Sequence, residues 1–179
     1  MNWSEYKQLS EKTLSQEFHS GKQVENLLHG VLGVLTELEE LLDWDDETNK
    51  KEEVADIFWY IALLDRELGL NLEIDSNGSD YHQLVNERII IQSFKISCGL
   101  LDYLKKKIYY NKPINLEDFS DEVIKLFNLL SVFCSINQIN IEKILITNIN
   151  KLKSRYGDKF SSEKAIHRHL DVERTILES

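Results

Sequence analysis

The sequence predicts an all-α helical bundle, and three observations carry that prediction. Its 179 residues include only seven Gly and one Pro, so long stretches run without a breaker. Leu, Ile, Glu, Lys and Asn fill those stretches, with apolar residues recurring at offsets of three and four. No βαβ alternation or glycine-rich phosphate loop appears, so a doubly wound or P-loop fold finds no support. The length suffices for one sizeable core without a disulfide or structural metal, and residues 1–179 are expected to form a single all-α domain.

The elements are expected in this order. Ser4 to about Phe18 is a modest amphipathic helix that covers the bundle through Trp3, Tyr6, Leu9 and Leu14. A long helix runs from about Gln23 to Asp43, its stripe made of Val24, Leu27, Leu28, Val31, Leu35, Leu38 and Leu42. Trp44 to Asn49 is a short acidic connection, and the next helix runs from about Lys51 to Glu67 and is stopped by Gly69. Leu70 to Ile74 has room for one turn, and Asp75 to Asp80 has the breakers of a linker. A third helix spans Tyr81 or His82 to about Tyr109, with Leu84, Ile91, Phe94, Cys98, Leu101 and Leu104 as its apolar members. Lys105, Lys106 and Lys107 suit the negative end of its dipole. Beyond Asn111 to Asn115, helices follow over Leu116 to Ile136 and Ile141 to Tyr156.

Composition narrows the partners. With 31 acidic residues against 21 Lys and Arg, the formal net charge is -10, which disfavours polymeric nucleic acid and an anionic membrane surface. Cys98 and Cys134 sit in apolar helical patterns and are expected as reduced core thiols. The N-terminus carries no apolar signal region, so a cytoplasmic setting is expected.

The second long helix raises a problem of charge. At about 100° per residue, Glu53, Asp56, Ile57, Tyr60 and Leu64 fall on one side, which puts two carboxylates at the head of a core-facing stripe. The preceding helix places Glu37 and Glu40 one turn apart. Exposed glutamates on a helix are ordinary, but four acids converging from two antiparallel helices repel one another unless a hard cation joins them. His29 is expected in a structural role and His167 and His169 at the surface. Trp3, Trp44 and Trp59 are large contacts by default, with base stacking as the alternative for Trp44.

An imperfect repeat divides the chain into units 22–74 and 84–143, followed by a helical segment 144–179. LLHGVLGVLTELEELL aligns with IIIQSFKISCGLLDYL, ending at Leu104, and EEVADIFWYIALLDRELGLNLE aligns with DEVIKLFNLLSVFCSINQINIE, Asp121 to Glu142. Glu37, Glu40, Glu53 and Asp56 then correspond to Gly99, Asp102, Glu122 and Lys125, so the second, degenerate unit has lost the acid set. Chance similarity between two amphipathic hairpins is the competing explanation.

Glu37-x-x-Glu40, twelve intervening residues and Glu53-x-x-Asp56 resemble the metal-binding signature of the MazG-like all-α nucleoside triphosphate pyrophosphohydrolases, relatives of the dimeric dUTP pyrophosphatases. The surroundings of both acid pairs are similar to that family's central helices, and Asn148-x-x-Lys151-x-x-x-Arg155-Tyr156 resembles its C-terminal segment. Glu39 stands where many relatives have a small residue. The resemblance implies Mg²⁺ bound by Glu37, Glu40, Glu53 and Asp56, and a nucleoside triphosphate bound by Asn148, Lys151, Arg155 and Tyr156. It also implies hydrolysis to monophosphate and pyrophosphate by a homodimer. Two alternatives stay open: a narrower dUTP or dCTP pyrophosphatase, and a non-catalytic helical regulatory protein with a vestigial metal site.

Overall fold

A computed structural model describes residues 18–74, 85–157, 162–167 and 169–178. The expected N-terminal helix over Ser4 to Phe18, the linker Asp75 to Asp80 and the third helix's start at Tyr81 or His82 lie essentially outside them. Among the described residues there are seven helices and no strand, as the sequence predicts. They are α1 (Lys22–Glu40), α2 (Glu47–Leu68), α3 (Asn86–Tyr110), α4 (Leu116–Ile136), α5 (Ile141–Tyr156), α6 (Ser162–Ile166) and α7 (Leu170–Leu177). No single described helix is long and apolar enough to cross a membrane.

Capping chemistry sets the ends. Asp46 accepts from the backbone N–H of Thr48 at 2.8 Å and of Asn49 at 2.9 Å, so α2 begins at Glu47, one turn before the expected Lys51. Gly69 takes the left-handed conformation (φ 68°) and closes α2, its N–H donating to the Asp65 carbonyl. Leu70 to Ile74 leaves α2 without making a helical turn.

Four helices form a closed ring in which α1 packs on α2 and α3, and α4 packs on α3 and α2; α5 lies against α2, and α7 against α5. Val34, Leu38, Leu41, Val54, Ile57, Phe58 and Ile61 join Leu126, Leu130 and Phe133 in the main cluster. Each such side chain contributes about 1.5–3 kcal/mol by leaving water. Aligned positions of the two hairpins behave alike. Val54, Ile57, Phe58, Ile61 and Leu64 are buried, and so are Val123, Leu126, Phe127, Leu130 and Phe133. Phe58 and Phe127 meet edge to face at 5.8 Å, and Gln138, opposite Gly69 in the alignment, is likewise left-handed (φ 55°).

Two stripes depart from expectation. On α1 the buried face is Leu27, Gly30, Val31, Gly33, Val34 and Leu38, while Leu42 is exposed and Leu35 half-buried. The cause is close approach: a Cβ on Gly30 would stand 2.6 Å from Leu64 Cδ2, and one on Gly33 would stand 2.2 Å from the Tyr60 ring. On α3 the buried residues are Ile89, Ile90, Ser93, Ser97, Leu100, Leu104 and Ile108. Ser97 fits there because its hydroxyl donates to the Ser93 carbonyl at 2.9 Å. The stripe is thus rotated from the expected one, leaving Ile91 and Cys98 exposed. Cys98 is therefore not a core thiol. Cys134 is, and burial pushes its pKa up to about 12.

Gly33→Ala is expected to lower the melting temperature by several degrees, because overpacking against Tyr60 costs about 1–3 kcal/mol and outweighs a helix-propensity gain of about 1 kcal/mol. Gly99→Ala, with no atom within 4 Å of the new Cβ, receives only the gain and should melt higher. Thermal unfolding of the two variants measures the contrast; equal shifts would mean that α1 and α2 are not held so closely.

Candidate metal and anion site

The glycine contact between α1 and α2 brings the acids together. Gly30, Gly33, Glu37 and Glu40 follow one another at offsets of three and four on α1, so the face that admits α2 most closely ends in two carboxylates. One carboxylate oxygen from each of Glu37, Glu40 and Glu53 lies within 4.8 Å of the other two. Glu53 is 4% exposed, Glu37 half-buried and Glu40 open to solvent, so the trio runs from the core to the surface. Glu39 is exposed on the outer side of α1.

Their protonation reflects that crowding. Burial, then the charges of Asp56 and Glu40, raise Glu37 to about 7, although a hydrogen bond from Glu53 opposes the shift. Burial, then Glu40 and Glu52, raise Glu53 to about 8. Asn49, one turn earlier on α2, donates to Glu53 Oε1 at 2.6 Å.

Asp56 has a different partner set. Its Oδ1 accepts from Asn148 Nδ2 and its Oδ2 from Lys151 Nζ, each at 2.5 Å, and Lys151 also reaches Glu52 at 3.0 Å. Lys151 is only 1% exposed, so α5 inserts an ammonium group into the acid face of α2. A buried ammonium needs such carboxylates. That arrangement pairs Asn148 and Lys151, two of the four expected substrate contacts, with acids, and both are buried. It also sets Asp56 beside the three-carboxylate group rather than in it.

Of the four expected substrate contacts, Arg155 and Tyr156 do line the cleft that the acids open into, a space of about 550 Å³. Glu37, Glu40, Glu53 and Asp56 form one wall, and His29, Trp59 and Tyr60 form another. His29 is exposed there, with its ring 6.2 Å from Trp59 and 5.6 Å from Tyr60. Burial and the charge of Glu37 raise the Tyr60 phenol above its usual range. Trp44 instead lies under the Lys50 ammonium, 4.8 Å from ring centroid to Nζ. His167 and His169 are exposed, as expected.

Arg155 is also held from behind. Its Nε and Nη2 donate to the two carboxylate oxygens of Glu173 at 2.8 and 2.5 Å. The neighbouring Arg174 reaches Asp46, the cap of α2, at 2.7 Å. Neither Asn49 nor Glu173 is signalled as part of a site by the sequence; Asn49 is visible in retrospect as one turn before Glu53, whereas Glu173 has no local signature.

The lysines that follow Asp102 are engaged locally. Lys105 and Lys106 pair with Asp102, and Lys125 pairs with Glu122 at 2.6 Å, so the second hairpin has ammonium groups beside the acids it retains. Comparison of the chain with protein-family models, curated proteins and solved structures returns no match.

Proposed function

We propose that the chain hydrolyses nucleoside triphosphates to monophosphate and pyrophosphate, with Mg²⁺ held by Glu37, Glu40 and Glu53. The observation that carries this reading is the convergence of those three carboxylates in a cleft that also presents Arg155. An all-oxygen, anionic donor set suits a hard divalent cation, and the raised affinity of Glu37 and Glu53 for protons marks a group whose charge lacks compensation. Bound there, Mg²⁺ would polarise the phosphoryl group and acidify an attacking water.

The protein's own residues then divide the remaining work. Lys151 and Asn148 fix both oxygens of Asp56, which keeps that side chain ordered beside the trio. Arg155 offers a planar donor group to phosphate oxygens. Trp59, Tyr60 and His29 offer ring edges and faces at the other wall. The resemblance of the Glu37 to Asp56 and Asn148 to Tyr156 segments to MazG-like enzymes supports the same reaction. It also fits a second hairpin that descends from a copy of the first and replaced its cation with Lys125.

The test is incubation with a nucleotide panel and Mg²⁺, with resolution of monophosphate, diphosphate, phosphate and pyrophosphate. Monophosphate plus pyrophosphate is expected, and turnover confined to dUTP or dCTP would select the narrower alternative. Release of inorganic phosphate alone, or no turnover by folded protein, would reject the reading. The non-catalytic alternative draws on the neutralisation of Asp56 by Lys151, and it predicts metal binding without products.

A further inference from the structure

The last helix buries a carboxylate more completely than any of its apolar residues. Among the described residues of α7 the buried one is Glu173, at 3% exposure, while Leu170 is 61% and Val172 53% exposed. Ile176 and Leu177, one turn further on, are half-buried, so the docking face of α7 carries this carboxylate among apolar contacts. A carboxylate withdrawn from water needs its oxygens satisfied, and Glu173 finds both bonds on one edge of Arg155. Side-on pairing through Nε and Nη2 fixes the plane of the guanidinium, whose carbon lies 5.6 Å from the centroid of the Tyr156 ring. Arg155 meanwhile stands at the wall of the acid cleft.

We infer that Glu173 is a positioning residue for Arg155 and that α7 completes the anion-binding side of the cleft. The inference rests on the triphosphate reading for the class of ligand, an oligophosphate, and on the geometry for the rest. An arginine left to itself has many rotamers and, beside this cleft, several carboxylates to fall onto; Glu173 holds it back from them. Arg174 also pairs with Asp46, but that contact is solvent-exposed and adds little to holding the helix.

Titration calorimetry with magnesium tripolyphosphate, which has no base and asks for no turnover by nucleotide, tests this on the full chain. Wild type is expected to bind. Glu173→Ala and the shape-preserving Glu173→Gln should each weaken binding about tenfold or more, the effect of losing one charge-assisted contact. Arg155→Ala should weaken it as much, and Glu173→Ala should add nothing in that background, because the two residues act through one contact. Arg174→Ala should stay within about twofold, since it leaves the Arg155 pair intact. Circular dichroism establishes folding, and Glu173→Gln carries the test if the alanine variant unfolds. No binding by wild type, unchanged affinity in Glu173→Gln, or a loss that adds in full to that of Arg155→Ala would each overturn the inference. Glu173-dependent binding without nucleotide turnover would remove the hydrolase reading and leave this one standing; turnover with wild-type affinity in Glu173→Gln would do the opposite.

Discussion

Lys151→Met is expected to lower the unfolding free energy by about 3–5 kcal/mol, the usual effect of removing one partner from a buried ion pair. The methionine keeps the length and apolar stem of the lysine, so the loss isolates the charge. That charge sits between Asp56 and Glu52 at 1% exposure, and without it two carboxylates face each other next to the Glu37, Glu40 and Glu53 group. For a chain of this size the melting temperature should fall by about 6–20 °C. Lys151→Met combined with Asp56→Asn should recover part of the loss, because the amide needs no cation. Mg²⁺ should stabilise the single variant more than wild type. A drop below about 3 °C in thermal unfolding would show that Lys151 is not the counter-ion of this face.

Glu53→Gln has the second large effect, and it acts in opposite directions on activity and stability. On the pyrophosphohydrolase reading, losing a carboxylate from the trio should reduce turnover by about 100-fold or more while leaving the helical spectrum unchanged. Without metal, the variant should be the more stable protein near pH 8, since burial and the neighbouring acids disfavour an ionised Glu53. Both Glu37 and Glu53 have pKa values raised above the unfolded value of 4.5. They bind protons more tightly when folded, so their contribution is full below about pH 4.5 and is lost as pH rises through about 7 and 8. The metal-free wild type should therefore melt several degrees lower at pH 8.5 than at pH 5.5. Glu53→Gln should flatten that slope, and so should saturating Mg²⁺, which favours the ionised carboxylates. A slope that is the same in wild type and variant would remove Glu53 from the charged cluster.

Much of the fold was legible because its signals are local. Breaker-free stretches, Gly69 and the asparagines before α4 and α5 mark helices and ends within a few residues of one another. The rotated stripes of α1 and α3 were harder, because glycine and serine carry no hydrophobic signal and yet occupy the buried face when two helices approach closely. Spacing singled out Glu37, Glu40, Glu53 and Asp56 together but did not separate the first three from Asp56, whose partners come from α5. The commitments of Asn148, Lys151 and Arg155 were not legible: their partners are 92, 95 and 18 positions away, and a basic residue offers the same pattern whether it meets phosphate or carboxylate.

The distance in sequence between Lys151 and its acids gives the chain an order of assembly. Glu52 precedes Lys151 by 99 residues, so at typical synthesis rates it is made about 5–20 s before its counter-ion. During that interval the apolar face shared by Gly30, Gly33, Leu64 and Tyr60 draws the two helices together, while the carboxylates beyond it push them apart. The nascent hairpin is thus fastened at one end and open at the other, and the arrival of α5 closes it.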